Sequence, residues 1–181
     1  MSHADQKIFC AKIKNRFPEF FNKVRVLDIG SLDINGNNRV YFDESDYIGI
    51  DLGKGRNVDM VCKAHEFPVT QEKFDVVIST ECFEHDMFLE KTILHVTKLL
   101  RSGGLFLFTC ATGKRREHGT INTSRYDSPF TFDMKDGWES YYKNVSEEMI
   151  RNIIDVDNTF ITHEFNIARG GTDLQFWGIL N

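Results

Sequence analysis

The chain has 181 residues, 41% of them apolar and 13% aromatic, enough side chains for one continuous core and the size of a single domain over residues 1–181. Its 22 basic residues against 27 acidic ones give a net charge of -5, which argues against the broad positive surface that neutralises phosphates and makes nucleic acid a disfavoured partner. No stretch approaches the roughly 18 uninterrupted apolar residues of a spanning helix, and the first twenty residues lack a signal-peptide core, so neither export nor membrane insertion is expected. Cys10, Cys62, Cys82 and Cys110 lack the close pairing of zinc sites and redox dithiols, and read as reduced thiols in a cytoplasmic protein.

From Ala4 to about Phe21, Ile8, Phe9, Ile13, Phe17, Phe20 and Phe21 recur near helical spacing with charges between them, which predicts an amphipathic helix. Val24 to Ile29 is a β-branched run closed by Gly30, and Tyr47 to Asp51 is a second short run closed by an acid. A third strand fits Val58 to Cys62. Phe74 to Ser79 has consecutive apolar residues, the pattern of a parallel strand buried on both faces. Met87 to Leu100 then carries Leu89, Ile93, Val96, Leu99 and Leu100 on one helical face, and Arg101-Ser102-Gly103-Gly104 follows as its C-terminal stop. Leu105 to Thr109 is a fifth strand.

Further on, Asn144 or Ser146 is placed to cap a helix through Ile154. Phe160 to Ala168 and Leu174 to Leu180, separated by a glycine turn, predict a closing strand pair. The alternation of strand and crossover predicts an α/β fold, a mainly parallel sheet with helices on both faces and a C-terminal antiparallel pair, with ligands outside the carboxyl ends of the strands.

The residues just after the strands are therefore the candidates for chemistry. Asp28, Gly30, Ser31, Asn35 and Gly36 form a loop after the first strand, where glycine lets the backbone approach a ligand. The glycines at 30 and 36 do not match a dinucleotide fingerprint, so an NAD-type motif is absent. Asp51, followed by Leu52, ends the second strand, where an acid can accept hydrogen bonds from both hydroxyls of a ribose. Loop, acid, buried fourth strand and double glycine, in this order, resemble the class I S-adenosylmethionine-dependent methyltransferases, in their small-molecule branch, over roughly Val24 to Thr109. The resemblance implies a Rossmann-like fold, S-adenosyl-L-methionine as cofactor and a small-molecule methyl acceptor.

By the same resemblance Val24 to Gly36 is the first motif and Asp51 the ribose-binding acid, while Ala64-His65 flanks the adenine ring ahead of Phe67-Pro68. Thr80-Glu81 lies near the methionine end of the cofactor. Lys63 stands where many relatives carry an acid, so an acceptor for the adenine amine comes from His65, Glu66 or a backbone carbonyl.

A histidine opening a helix, as His85 does, is commonly a capping or packing residue, yet family members often have one there close to the reaction centre. His118, in the polar loop past the fifth strand, is the first candidate for acceptor contact or proton removal, with His85 the second. The aromatic segment Tyr126 to Tyr142 is long for a structureless connection and reads either as a lid over the acceptor or as a cover for the sheet edge. The Asp, Glu and His positions show no metal-ligand spacing, and no metal is expected. Methyl transfer from a sulfonium is an in-line displacement needing mainly alignment: a hydroxyl acceptor would want a base, an amine positioning alone. The rival readings are a non-catalytic methyltransferase-like binding domain and, against the glycine pattern, an oxidoreductase.

Overall fold

The computed structural model describes residues 4–181. The first helix, α1 (Ala4–Arg16), buries Gln6, Phe9, Cys10 and Ile13 along one side. It stops sooner than the apolar spacing predicts because Pro18 has no N–H and restricts the residue before it; Pro18–Phe20 makes a single 3-10 turn instead.

Five strands then run parallel. They are β1 (Arg25–Ile29), β2 (Asp46–Asp51), β3 (Met60–Val61), β4 (Phe74–Thr80) and β5 (Leu100–Ala111). The closing pair, β6 (Phe160–Ala168) and β7 (Asp173–Leu180), is antiparallel, and the spatial order is β3-β2-β1-β4-β5-β7-β6. β3 is shorter than the predicted Val58–Cys62 run, and it sits at the sheet edge, where short strands limit unwanted pairing.

Successive residues of the central strands feed two separate cores. Leu27, Ile29, Val77, Phe106 and Phe108 belong to one, while Val26, Val76, Ile78, Leu105 and Leu107 belong to the other. Strand side chains alternate between faces, so the sheet is covered on both sides. α1 covers one face through Phe9, Cys10 and Ile13. The other is covered by α2 (Leu89–Leu99), through Leu89, Ile93, Val96 and Leu99, and by α4 (Glu147–Ile153), through Ile150.

The glycine stop after α2 takes a different form from the predicted loop. Leu100 already pairs with Phe74, and the next paired position is Leu105 with Val76, so Arg101–Gly104 is a bulge inside β5 in which Gly103 has φ +72°. Ser146 is the cap of α4, its Oγ accepting from Met149 N at 3.2 Å. The long connection 112–145 contains α3 (Pro129–Phe132) and a 3-10 turn at Trp138–Ser140. A short α5 (Val156–Thr159), unmarked in the apolar pattern, leads into β6.

Candidate active site

β1 ends against β2 and β4, and its exit is set by Gly30. This residue has φ +76°, and a Cβ there would lie 2.5 Å from Cys82 Sγ, so glycine alone allows the chain to turn so close to the segment after β4. Gly30 N and Ser31 N both donate to Ile50 O. Ser31 and Asn57 then exchange hydrogen bonds, Oγ to Asn57 O at 3.0 Å and Nδ2 to Ser31 O at 2.9 Å, which ties the loop to the β2–β3 connection. Asp33 accepts from Gly36 N at 2.8 Å and from Asn37 Nδ2 at 2.9 Å and closes the rest of the loop.

Asp51 stands at the end of β2, with Oδ2 accepting from Leu32 N at 3.0 Å and Oδ1 from Leu52 N at 2.7 Å. Burial raises its carboxyl above the usual range, and the two amides act against that rise. An ionised carboxylate has about four acceptor positions, so two donors leave room for a pair of hydroxyls. Asp28 has a different role. It is buried, with its oxygens taken by the Tyr47 hydroxyl and by Asn38 Nδ2, and burial pushes its carboxyl up to about 7. Asn38 Nδ2 also reaches Thr80 Oγ1 at 3.0 Å, linking the loop base to the end of β4.

After β4 the backbone of Glu81 is left-handed, with φ 55° in a residue other than glycine. Such strain persists where the surroundings over-determine it. Glu81 N donates to Thr109 O at 2.8 Å, Oε1 accepts from Thr109 Oγ1 at 2.9 Å, and Oε2 meets Arg115 Nη1 at 2.5 Å. Arg115 in turn reaches Asp173 Oδ1 at 2.9 Å, so the ends of β4, β5 and β7 are joined through buried charges.

The ends of β1, β2 and β4 surround a cleft of about 930 Å³, its mouth included. All of the cofactor residues expected from sequence line it except His65: Asp28, Gly30, Ser31, Asn35 and Gly36 from the first loop, then Asp51, Leu52, Ala64, Thr80 and Glu81. His65 instead turns its ring toward Phe88 at 4.6 Å, with Nε2 3.6 Å from Glu66 Oε1, because the 3-10 turn Ala64–Glu66 presents Ala64 to the cleft and carries the next side chain away. Lys63 is likewise engaged outside it, 3.6 Å from Glu66.

His85 is a wall of the cleft, 5% exposed, and burial pushes its imidazole down to about 3. His118 is not a wall. The loop after β5 is pulled back by Thr112 N to Thr172 O and by Arg115, which sets His118 behind His85, the two rings 5.0 Å apart and Tyr142 against both. The expected first candidate for proton removal is therefore separated from the cleft by the second.

Asp127–Thr131 and Trp138 close the cleft from above. Phe130 rests on the β2–β3 connection so tightly that a Cβ on Gly53 would lie 2.5 Å from its ring. The aromatic segment thus divides: Phe130 and Trp138 face the cleft, Tyr142 packs on the histidines, and Tyr126 is exposed. Sequence reasoning missed Gln6 of α1, Asn38 and Cys82 as walls; an N-terminal helix reaching the cleft leaves no local signature.

Comparison with known proteins agrees with this arrangement. The family model described as a methyltransferase domain matches residues 1–143. An uncharacterized methyltransferase of Anoxybacillus flavithermus is 27% identical over 105 residues, 57% of this chain and 46% of its own length. A phosphoethanolamine N-methyltransferase of Haemonchus contortus in complex with S-adenosyl-L-methionine superposes with a TM-score of 0.64 at 19% identity, over 94% of this chain and 52% of that one. An S-adenosylmethionine-dependent methyltransferase of Clostridium acetobutylicum gives 0.63 at 13% identity, over 98% of this chain and 93% of that one. The chain thus spans about half the length of the curated relative and of the nematode enzyme. A family model covering most of the sequence, on a sheet of this order, makes the chain a member of the class I S-adenosylmethionine-dependent methyltransferases, whose cofactor is S-adenosylmethionine.

Proposed function

We propose that the chain, acting as a single domain, binds S-adenosylmethionine in the cleft and transfers its methyl group to an oxygen or nitrogen of a small-molecule acceptor. One observation carries this reading: the Gly30 loop, the Asp51 carboxylate and Thr80–Glu81 meet around one cleft at the carboxyl ends of β1, β2 and β4. The donor set suits the cofactor. Asp51 would receive the ribose hydroxyls, Ala64 and Cys62 would offer apolar wall for the adenine, and the strained turn at Glu81 would face the methionine end. S-adenosylmethionine brings an already activated methyl, so the protein's part is alignment and exclusion of water. Phe130 and Trp138 narrow the mouth and favour a small acceptor. The Haemonchus contortus enzyme and a Burkholderia thailandensis relative were crystallised with small acceptors, phosphomonomethylethanolamine and 1,6-didemethyltoxoflavin. Four unpaired thiols suit a cytoplasmic setting, and no described helix is long and apolar enough to cross a membrane.

Calorimetric titration tests the reading. S-adenosylhomocysteine is expected to bind and NADH not to bind. Asp51→Ala should weaken binding by roughly 10- to 100-fold, because a charge-assisted acceptor for two hydroxyls is worth about 1.5–3 kcal/mol. A folded protein that ignores S-adenosylhomocysteine would sink the proposal, whereas binding without turnover on any acceptor would mark a non-catalytic binding domain.

A further inference from the structure

Behind the cleft wall, Glu84, His85 and His118 point polar atoms at one another. Glu84 is fully buried and His85 nearly so. Among the described residues, neither oxygen of Glu84, neither nitrogen of His85, nor Nε2 of His118 has a hydrogen-bond partner. One ligand atom from each residue lies within 4.8 Å of the other two, and His118 Nε2 is 3.7 Å from Glu84 Oε1. A buried polar atom left unpaired is destabilising, and here five of them gather in one place. Lone pairs that converge in this way can be satisfied together by a single cation.

The tautomer of His118 is settled by the backbone. Its Nδ1 lies 3.1 Å from Arg116 O, so Nδ1–H donates to that carbonyl and the Nε2 lone pair faces Glu84. An imidazole oriented through its far nitrogen by a carbonyl is how metal-binding histidines are held. The loop is also built for close approach: Gly119 has φ +66°, and a Cβ there would lie 2.7 Å from His85 Cε1.

We propose that Glu84, His85 and His118 form a binding site for one divalent first-row transition-metal ion. Two imidazoles and one carboxylate suit zinc and its neighbours better than magnesium or calcium, which favour oxygen ligands throughout. Ligand bonds of about 2.0–2.2 Å require the three atoms to draw in slightly from their present spacing. Three protein ligands leave a coordination position open. The cluster lies behind the His85 wall of the cleft, and ion binding there does not rest on the methyltransferase reading.

The test uses the untagged full chain, dialysed against chelator and then titrated with Zn²⁺ and Co²⁺. One equivalent of Zn²⁺ per chain is expected, with Co²⁺ giving hyperfine-shifted imidazole resonances from His85 and His118 in the NMR spectrum. Glu84→Gln and His118→Asn should each weaken Zn²⁺ binding beyond the roughly 10–100-fold typical of losing an outer hydrogen-bond partner. Each variant is checked for folding by circular dichroism and for S-adenosylhomocysteine affinity in a parallel titration, which reports separately on the cofactor reading. Absence of stoichiometric Zn²⁺ binding by the folded wild-type chain, wild-type affinity in either variant, or shifted resonances from other residues would overturn the proposal.

Discussion

Gly30 shows how a single residue can be read correctly as special and for an incomplete reason. In sequence it is the glycine that lets a ligand approach the backbone. In the fold its missing Cβ is needed by Cys82, 2.5 Å away, and its φ of +76° is one that L side chains avoid. Gly30→Ala should therefore reduce stability before it affects binding, by about 1–2 kcal/mol for the left-handed backbone and about 1–3 kcal/mol for overpacking. Urea denaturation of Gly30→Ala against Gly30→Ala/Cys82→Gly, each compared with its own position-82 parent, separates the two, since the second change removes both the Sγ and the Cβ, which would lie 2.5 and 2.6 Å away. An equal loss of stability in both comparisons would show that contact with Cys82 is not what requires glycine.

Among elements, the segment over the cleft is the one whose sequence allows two readings, a lid over the acceptor or a cover for the sheet edge. α3 is held down chiefly by Phe130 lying on Gly53 and Gly55, two positions where any side chain would collide with or crowd the ring. S-adenosylhomocysteine is expected to slow amide hydrogen exchange across Phe130–Thr131 in the wild-type chain. Phe130→Ala, which removes about 1–3 kcal/mol of apolar burial, should speed exchange there by roughly 10- to 100-fold and abolish most of the cofactor's effect. Protection unchanged by the substitution would make the segment a fixed cover of the sheet edge. The element boundaries carry a related lesson. The strand and helix cores were legible because buried parallel strands are apolar throughout and helices repeat near 3.6 residues, whereas the bulge at Arg101–Gly104 depends on pairing with β4, which no local pattern encodes.

For the whole molecule, the buried carboxyls make stability depend on pH. Asp28 has a usual value of 3.8 and is raised to about 7 by burial, against which the Tyr47 and Asn38 hydrogen bonds pull it down. At this group the folded state binds more protons than the unfolded state between about pH 4 and 7, so the stability that Asp28 contributes is greatest below that window and falls as pH rises through it. Asp51 and Asp86, also raised by burial, slope the same way. Asp28→Asn should flatten the profile by a few kcal/mol across the window, measured as urea midpoints of both proteins at each pH so that other titrating groups cancel. Parallel profiles would mean that Asp28 is ionised in the folded chain throughout.

The sequence by itself determined the α/β class, the strand order of appearance, the Gly30 loop and the Asp51 carboxylate, because each is a local matter: periodicity, a glycine where the backbone must bend, an acid at a strand end. Only the tertiary structure decided which distant residues meet. His118 follows β5 and His85 follows β4, and nothing in their spacing of 33 positions announces a contact; the recoil of the 112–119 loop toward β7 brings them together and withdraws His118 from the cleft. The same recoil assembles Glu84, His85 and His118 where the sequence showed no metal-ligand spacing. His65 was placed in the cleft on its neighbour's account, and one residue of a 3-10 turn was enough to point it elsewhere. Side-chain direction across a turn and contacts between loops are properties of packing, which is decided by all the elements at once.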